Sequence, residues 1–64
     1  MSKIAILGAG ESGAGAAVLA KKQGFEVFVS DMSKINDKYK KLMNDHQIEW
    51  EEGHHTEDKI IYTS

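Results

Sequence analysis

The chain opens on an unbroken aliphatic run, Ile4-Ala5-Ile6-Leu7, that is apolar at both alternating positions. A strand wet on one face alternates, whereas one covered on both faces does not. The run therefore predicts a buried parallel strand over Lys3 to Leu7. Gly8-Ala9-Gly10-Glu11-Ser12-Gly13 follows as a tight glycine turn. The alanine-rich stretch Ala14 to Gln23 predicts a helix, with Gly24 placed to stop it and Lys21-Lys22 complementing the dipole of its last turn. Gly13, Ala16, Ala17 and Ala20 share the i, i+3, i+4, i+7 spacing, a slim face that would let this helix lie close to a sheet.

Glu26 to Ser30 repeats the pattern of a strand apolar on both sides and ends at Asp31. Ser33 is a natural N-cap for a second helix carrying Ile35, Tyr39, Leu42 and Met43 on one stripe, with the lysines of Lys38 to Lys41 on its wet face. Ile48 to Glu52 alternates, Ile48 and Trp50 against Glu49 and Glu51, and predicts a third, more exposed strand that Gly53 breaks. Thr56-Glu57-Asp58 has the make-up of another helix start. The order β-α-β-α-β plus a helix start belongs to the α/β class, a partial Rossmann-like parallel sheet occupying residues 1–64 as one incomplete domain.

Composition narrows the function. With 64 residues, eight Lys, no Arg, ten acids and a formal charge of −2, the chain lacks the basic patch that nucleic acid or an acidic membrane would need. No apolar run approaches the roughly 18 residues of a membrane span. There is no cysteine for disulfides or thiolate metal sites. The N-terminal apolar run is too short for a signal peptide, so the expected setting is cytoplasmic.

The candidate chemistry lies in Gly8-x-Gly10-x-x-Gly13. It leaves a predicted strand, opens a predicted helix, and is followed by an acid, Asp31, 23 residues after the first glycine at the end of the next strand. Gly8 permits the turn, Gly10 lets a ligand's diphosphate approach the backbone, and Gly13 lets helix and strand pack closely. Free N–H groups at the helix start attract that diphosphate, and Ser12 adds a hydroxyl donor. Asp31, an acceptor when ionised, suits a ribose hydroxyl or a base N–H. The bland alternative is that the glycines serve only strand-to-helix geometry. Glu11, a carboxylate inside the loop, is expected to point to solvent. His54-His55, with His46, lacks metal-ligand spacing and reads as a solvated pair; no metal site is expected. Trp50 reads as a packing residue at the sheet edge.

These residues resemble a family. Ile4 to Gly13, then Val27-Phe28-Val29-Ser30-Asp31, and the segment Trp50-Glu51-Glu52-Gly53-His54-His55-Thr56-Glu57 are similar to the N-terminus of the Mur ligases of peptidoglycan synthesis, the D-glutamate-adding branch above all. The resemblance covers essentially the whole chain. It implies a domain that holds the UDP part of UDP-N-acetylmuramoyl-L-alanine. Gly8, Ala9, Gly10, Glu11, Ser12 and Gly13 would face the diphosphate, and Asp31, Met32 and Ser33 the uracil and ribose. Some relatives carry Arg or Lys where this chain has Ser33. The implied parent enzyme uses ATP and Mg²⁺ in later domains; no G-x-x-x-x-G-K-[ST] loop occurs here, so no catalytic residue is expected in this chain.

Two other classes share the geometry: an NAD-binding domain of a dehydrogenase or transport regulator, and a non-catalytic nucleotide-sensing module. The length suggests half a nucleotide-binding domain cut from a longer enzyme. Right-handed crossovers would put both helices on one side of the sheet. Its other side is then expected to be bare, and the isolated chain to self-associate through it.

Overall fold

The structure, a computed structural model, describes residues 2–56. Its elements are β1 (Lys3–Leu7), α1 (Glu11–Lys22), β2 (Glu26–Asp31), α2 (Asp37–Asp45) and β3 (Glu49–Glu52). The expected start of a helix after Thr56 lies outside the described residues. The strands form one parallel sheet in the order β1-β2-β3, the arrangement that apolar runs joined by helical crossovers predict.

The register pairs Ile4 with Val27, Ile6 with Val29, and Val29 with Trp50, which sets these side chains on one face. That face meets both helices, and Val27, Val29, Ala17, Ile35, Met43 and Ile48 form the buried core between them. The two helices also touch each other, as right-handed crossovers require. On the opposite face Phe28 and Ser30 are buried, at 5% and 0% exposure, while Leu7 is 61% exposed. The expectation of a bare second face is thus corrected at β2. Over Ser30 the cover comes from Glu51, His54 and His55, which hydrogen-bond to its hydroxyl.

Both helices end in the same way. In α1 the N–H of Gly24 reaches the Lys21 carbonyl and that of Phe25 the Ala20 carbonyl, each at 3.1 Å, with Gly24 at φ +93°. In α2 Gln47 N–H bonds the Asn44 carbonyl at 3.0 Å and Ile48 N–H the Met43 carbonyl at 2.8 Å. These are Schellman closures, and in α2 they join two core residues, Met43 and Ile48. The second closure puts Gln47 at φ 58°, where glycine would be unstrained.

Three local expectations are corrected. Helix α1 begins at Glu11 and buries Ala14 and Ala17, leaving Ala16 exposed. Alanine and glycine on every side give the pattern too little contrast to orient this helix. Asn36, not Ser33, caps α2, its Oδ1 accepting from Lys38 N–H at 3.0 Å. Ser33 N–H is already donated to Asp31, and Ile35 must sink into the core before the helix can start. Lys40 does not lie on the wet face. Its ammonium pairs with Glu52 at 2.9 Å and sits 5.3 Å from the centre of the Trp50 ring. Trp50 packs as expected, half-buried against the core, with Nε1 donating to Asn44.

Candidate functional site

In a parallel sheet the C-terminal ends of the strands and the N-termini of the following helices open on the same side, so a ligand meets both together. Here that edge is built from the turn between β1 and α1 and the end of β2. Two rungs extend the sheet to it: Gly8 N–H donates to the Ser30 carbonyl and Gly53 N–H to the Asp31 carbonyl, both at 2.8 Å.

The three glycines of the turn have separate jobs. Gly8 stands at φ +101°, a conformation that L side chains rarely adopt. A Cβ on Gly13 would lie 1.9 Å from the Gly8 carbonyl oxygen, so helix and turn are packed backbone to backbone. A Cβ on Gly10 would meet nothing within 4 Å. Gly10 is the N-cap of α1 and offers no side-chain cap, so no side chain competes with a ligand for the helix's first N–H groups. Glu11 and Ser12 are exposed beside that opening. The first intrahelical bond, Ala14 N–H to the Gly10 carbonyl at 2.9 Å, fixes the other end of the turn.

Asp31 is joined directly to the turn. Its Oδ2 accepts the Ala9 N–H at 2.8 Å and its Oδ1 the Ser33 N–H at 2.9 Å. These backbone bonds, Ala9 first, hold its carboxyl below the ordinary range against a smaller opposing effect of burial, with nearby His55 adding to the lowering. A carboxylate has about four lone-pair sites, so two remain for a ligand. Met32 is 61% exposed and Ser33 exposed, both directly after it. The structure therefore brings Asp31 to Ala9 and the glycine turn, with Met32 and Ser33 beside it on the chain. An open depression of about 370 Å³ lies just past them, walled by Lys34 to Asp37 of the β2–α2 connection and not by the turn.

A third group at this edge was not expected. Glu51 is half of a predicted wet alternation, yet its side chain is only 9% exposed. Its Oε2 accepts from Ser30 Oγ and Thr56 N–H, and its Oε1 from Thr56 Oγ1, each at 2.6 Å; His54 Nε2 stands 3.2 Å from Oε1. Burial pushes this carboxyl up, but the bonds from Ser30 and Thr56 and the His54 charge outweigh it and bring it down to about 2. Ser30 comes from β2 and the other partners from the chain after Gly53, so the alternation in β3 carried no sign of them. His55 is not solvated as expected: Nδ1 is hydrogen-bonded to Ser30 Oγ. His54, 65% exposed, fits that expectation better. Among the described residues no three His or carboxylate side chains gather into a metal site, and no helix is long and apolar enough to cross a membrane.

Comparison with known proteins gives this geometry a lineage. Residues 3–61 match the family described as the MurD N-terminal domain. A UDP-N-acetylmuramoylalanine--D-glutamate ligase from Bacteroides thetaiotaomicron is 72% identical over 61 residues, 95% of this chain. The ligase of the same name from Bacteroides fragilis is 67% identical over the same share, and that from Christiangramia forsetii 60% over 92%. The chain spans about one-seventh of such relatives, 14% of the first two and 13% of the third. No solved structure matches. The chain belongs to the MurD N-terminal domain family.

Proposed function

We propose that this chain is the substrate-anchoring N-terminal part of a cytoplasmic, ATP-dependent ligase that joins D-glutamate to UDP-N-acetylmuramoyl-L-alanine in peptidoglycan synthesis. One observation carries the reading. The turn Gly8 to Gly13 opens on an α1 N-terminus without a side-chain cap and is tied by Ala9 to Asp31, in a chain that matches the MurD N-terminal domain over residues 3–61.

In this reading the N–H groups at the start of α1 and the Ser12 hydroxyl hold the diphosphate, with Gly10 leaving room for it. Asp31, Met32 and Ser33 meet the ribose and uracil: the carboxylate accepts from a hydroxyl or base N–H, and the Met32 side chain offers apolar area to the base. Glu11 stays in solvent, clear of the diphosphate. Holding the uridine end fixes a reacting carboxylate that lies remote from it, a contribution of positioning rather than of bond-making. The chain carries no G-x-x-x-x-G-K-[ST] loop for the phosphates of ATP, so no step of the amide-forming reaction is assigned to it and no ligase activity is expected of it alone.

A titration followed by amide shift perturbation, with UDP, UMP, NAD and ATP in turn, tests the reading. UDP is expected to move Gly10, Ser12, Gly13 and Asp31 together. Selective response to NAD, with none to UDP, would replace this reading with the dinucleotide one.

A further inference from the structure

The hydroxyl of Ser30 is fully buried and surrounded by three partners: Glu51 Oε2 at 2.6 Å, the His54 carbonyl at 3.2 Å and His55 Nδ1. A serine hydroxyl has one proton to donate. The carboxylate and the carbonyl can only accept. The ionised oxygen is the nearer and stronger acceptor, so it takes the proton. Ser30 can then engage His55 Nδ1 only by accepting, which requires Nδ1 to carry a hydrogen. The neighbouring histidine is constrained oppositely. His54 meets the same carboxylate through Nε2, so there Nε2 must be the donor. Glu51 thus receives four donors, from Ser30, His54 and twice from Thr56, as many as its lone-pair sites.

We propose that His55 Nδ1–H, Ser30 Oγ–H and Glu51 form a directed hydrogen-bond chain that latches residues 53–56 onto the sheet and so positions the Asp31 side of the candidate site. The connection to the site runs through backbone. Ser30 carries the carbonyl that receives Gly8 N–H, and Asp31, the next residue, carries the one that receives Gly53 N–H. Ser30 directs its side chain to the face away from the helices, whereas Asp31 reaches Ala9 in the turn. Loosening the latch on one face therefore loosens Gly53 and, through Asp31, the turn. The low-lying Glu51 carboxyl keeps the acceptor end of the chain ionised throughout the physiological range. His55 and Ser30 are positioning residues here, since neither need touch a ligand. In the neutral ring the fixed proton leaves Nε2 as a bare acceptor, the reverse of His54.

The first test needs no variant. Nitrogen-15 spectra of the two imidazoles in the intact chain, recorded on the neutral rings, should show Nδ1 protonated in His55 and Nε2 protonated in His54. A proton on Nε2 of His55, leaving Nδ1 bare, would overturn the directed chain. The second test is amide exchange. Ser30→Ala and His55→Leu should each speed exchange at Gly53 and Ala9 by about tenfold, the equivalent of one lost hydrogen bond. His55→Asn, whose amide N–H can take the place of Nδ1–H, should restore most of the protection. Unchanged exchange in His55→Leu would refute the latch.

A UDP titration forms the third arm, and this arm alone rests on the functional reading above. The Leu variant should bind UDP about fivefold more weakly and the Asn variant within about twofold of the parent. If the parent chain ignores UDP, that reading falls, while imidazole spectra and amide exchange still decide the latch. If UDP binds the parent and the Leu variant equally, the link from latch to site is wrong.

Discussion

Gly13 and Gly10 sit three residues apart in one turn, and the structure expects opposite results from the same added methyl group. In Gly13→Ala the new Cβ would lie 1.9 Å from the Gly8 carbonyl oxygen, where ordinary contact begins near 3.4 Å. The helix or the turn must yield by about the difference, 1.5 Å. Neither obstacle is a flexible side chain, since both neighbours under 3 Å are backbone atoms of Gly8. Retreat of α1 would lift Ala14 and Ala17 off the sheet, both of which are fully buried. Overpacking of this kind costs about 3 kcal/mol at the upper end of its usual range. A chain of this length has only about 3–10 kcal/mol in total.

In Gly10→Ala nothing stands within 4 Å of the new atom, and φ −78° suits any residue. The remaining cost is the poorer N-cap, below about 1 kcal/mol. Urea unfolding checks both. With a slope of about 1 kcal/mol/M for a small domain, Gly13→Ala should lower the midpoint by about 3 M and Gly10→Ala by less than about 1 M. Ligand binding should invert the order of interest: folded Gly10→Ala should bind UDP about tenfold more weakly, because its methyl occupies the space assigned to the diphosphate. A Gly13→Ala midpoint within about 0.5 M of the parent would refute the backbone-to-backbone packing. Unweakened UDP binding by Gly10→Ala would remove Gly10 from the cradle.

Four further outcomes are expected. Glu51, brought down to about 2 from 4.5, and Asp31 and Glu52, also lowered, have folded values below their unfolded ones; their contribution is full above about pH 4.5 and disappears as pH falls towards 2. The urea midpoint should therefore be level from pH 7 to 5 and drop below that, and Glu51→Gln should flatten the acid limb. Gln47→Gly should raise stability by about 1 kcal/mol by relieving the left-handed residue at the end of α2, read from thermal melts. Asp31→Ala should cost about 2 kcal/mol, since it strips acceptors from Ala9 and Ser33, and should unprotect the Ala9 amide, whereas Asp31→Asn should lie between. Self-association of the isolated chain, if it runs through exposed Leu7, should be visible in sedimentation and diminished in Leu7→Lys.

What the sequence revealed followed from local chemistry. Doubly apolar runs predicted β1 and β2, and Gly24 announced the end of α1, because each needs only near neighbours to act. Asp31 was legible as the acid ending β2. Its bond to Ala9 was not, since that joins residues 22 apart through a fold not yet known. Ser33 and Asn36 both have the chemistry of a cap; the choice went to Asn36 because burying Ile35 delays the helix. Glu51 misled most. Alternation with Trp50 marks it as wet, and only the return of the chain after Gly53, bringing His54 and Thr56 to the carboxylate, turns it inward.

The turn between β1 and α1 is restrained before any ligand arrives: Gly8 by Ser30, Ala9 by Asp31, and Gly10 by Ala14. A loop already held in shape has little conformational entropy left to lose on association. On the reading proposed above, a uridine diphosphate would dock in a single encounter, without waiting for the loop to close, and its association rate would be set by diffusion and charge. Residence time, by contrast, depends on how firmly the ligand is gripped, so changes in this turn should appear in the dissociation rate.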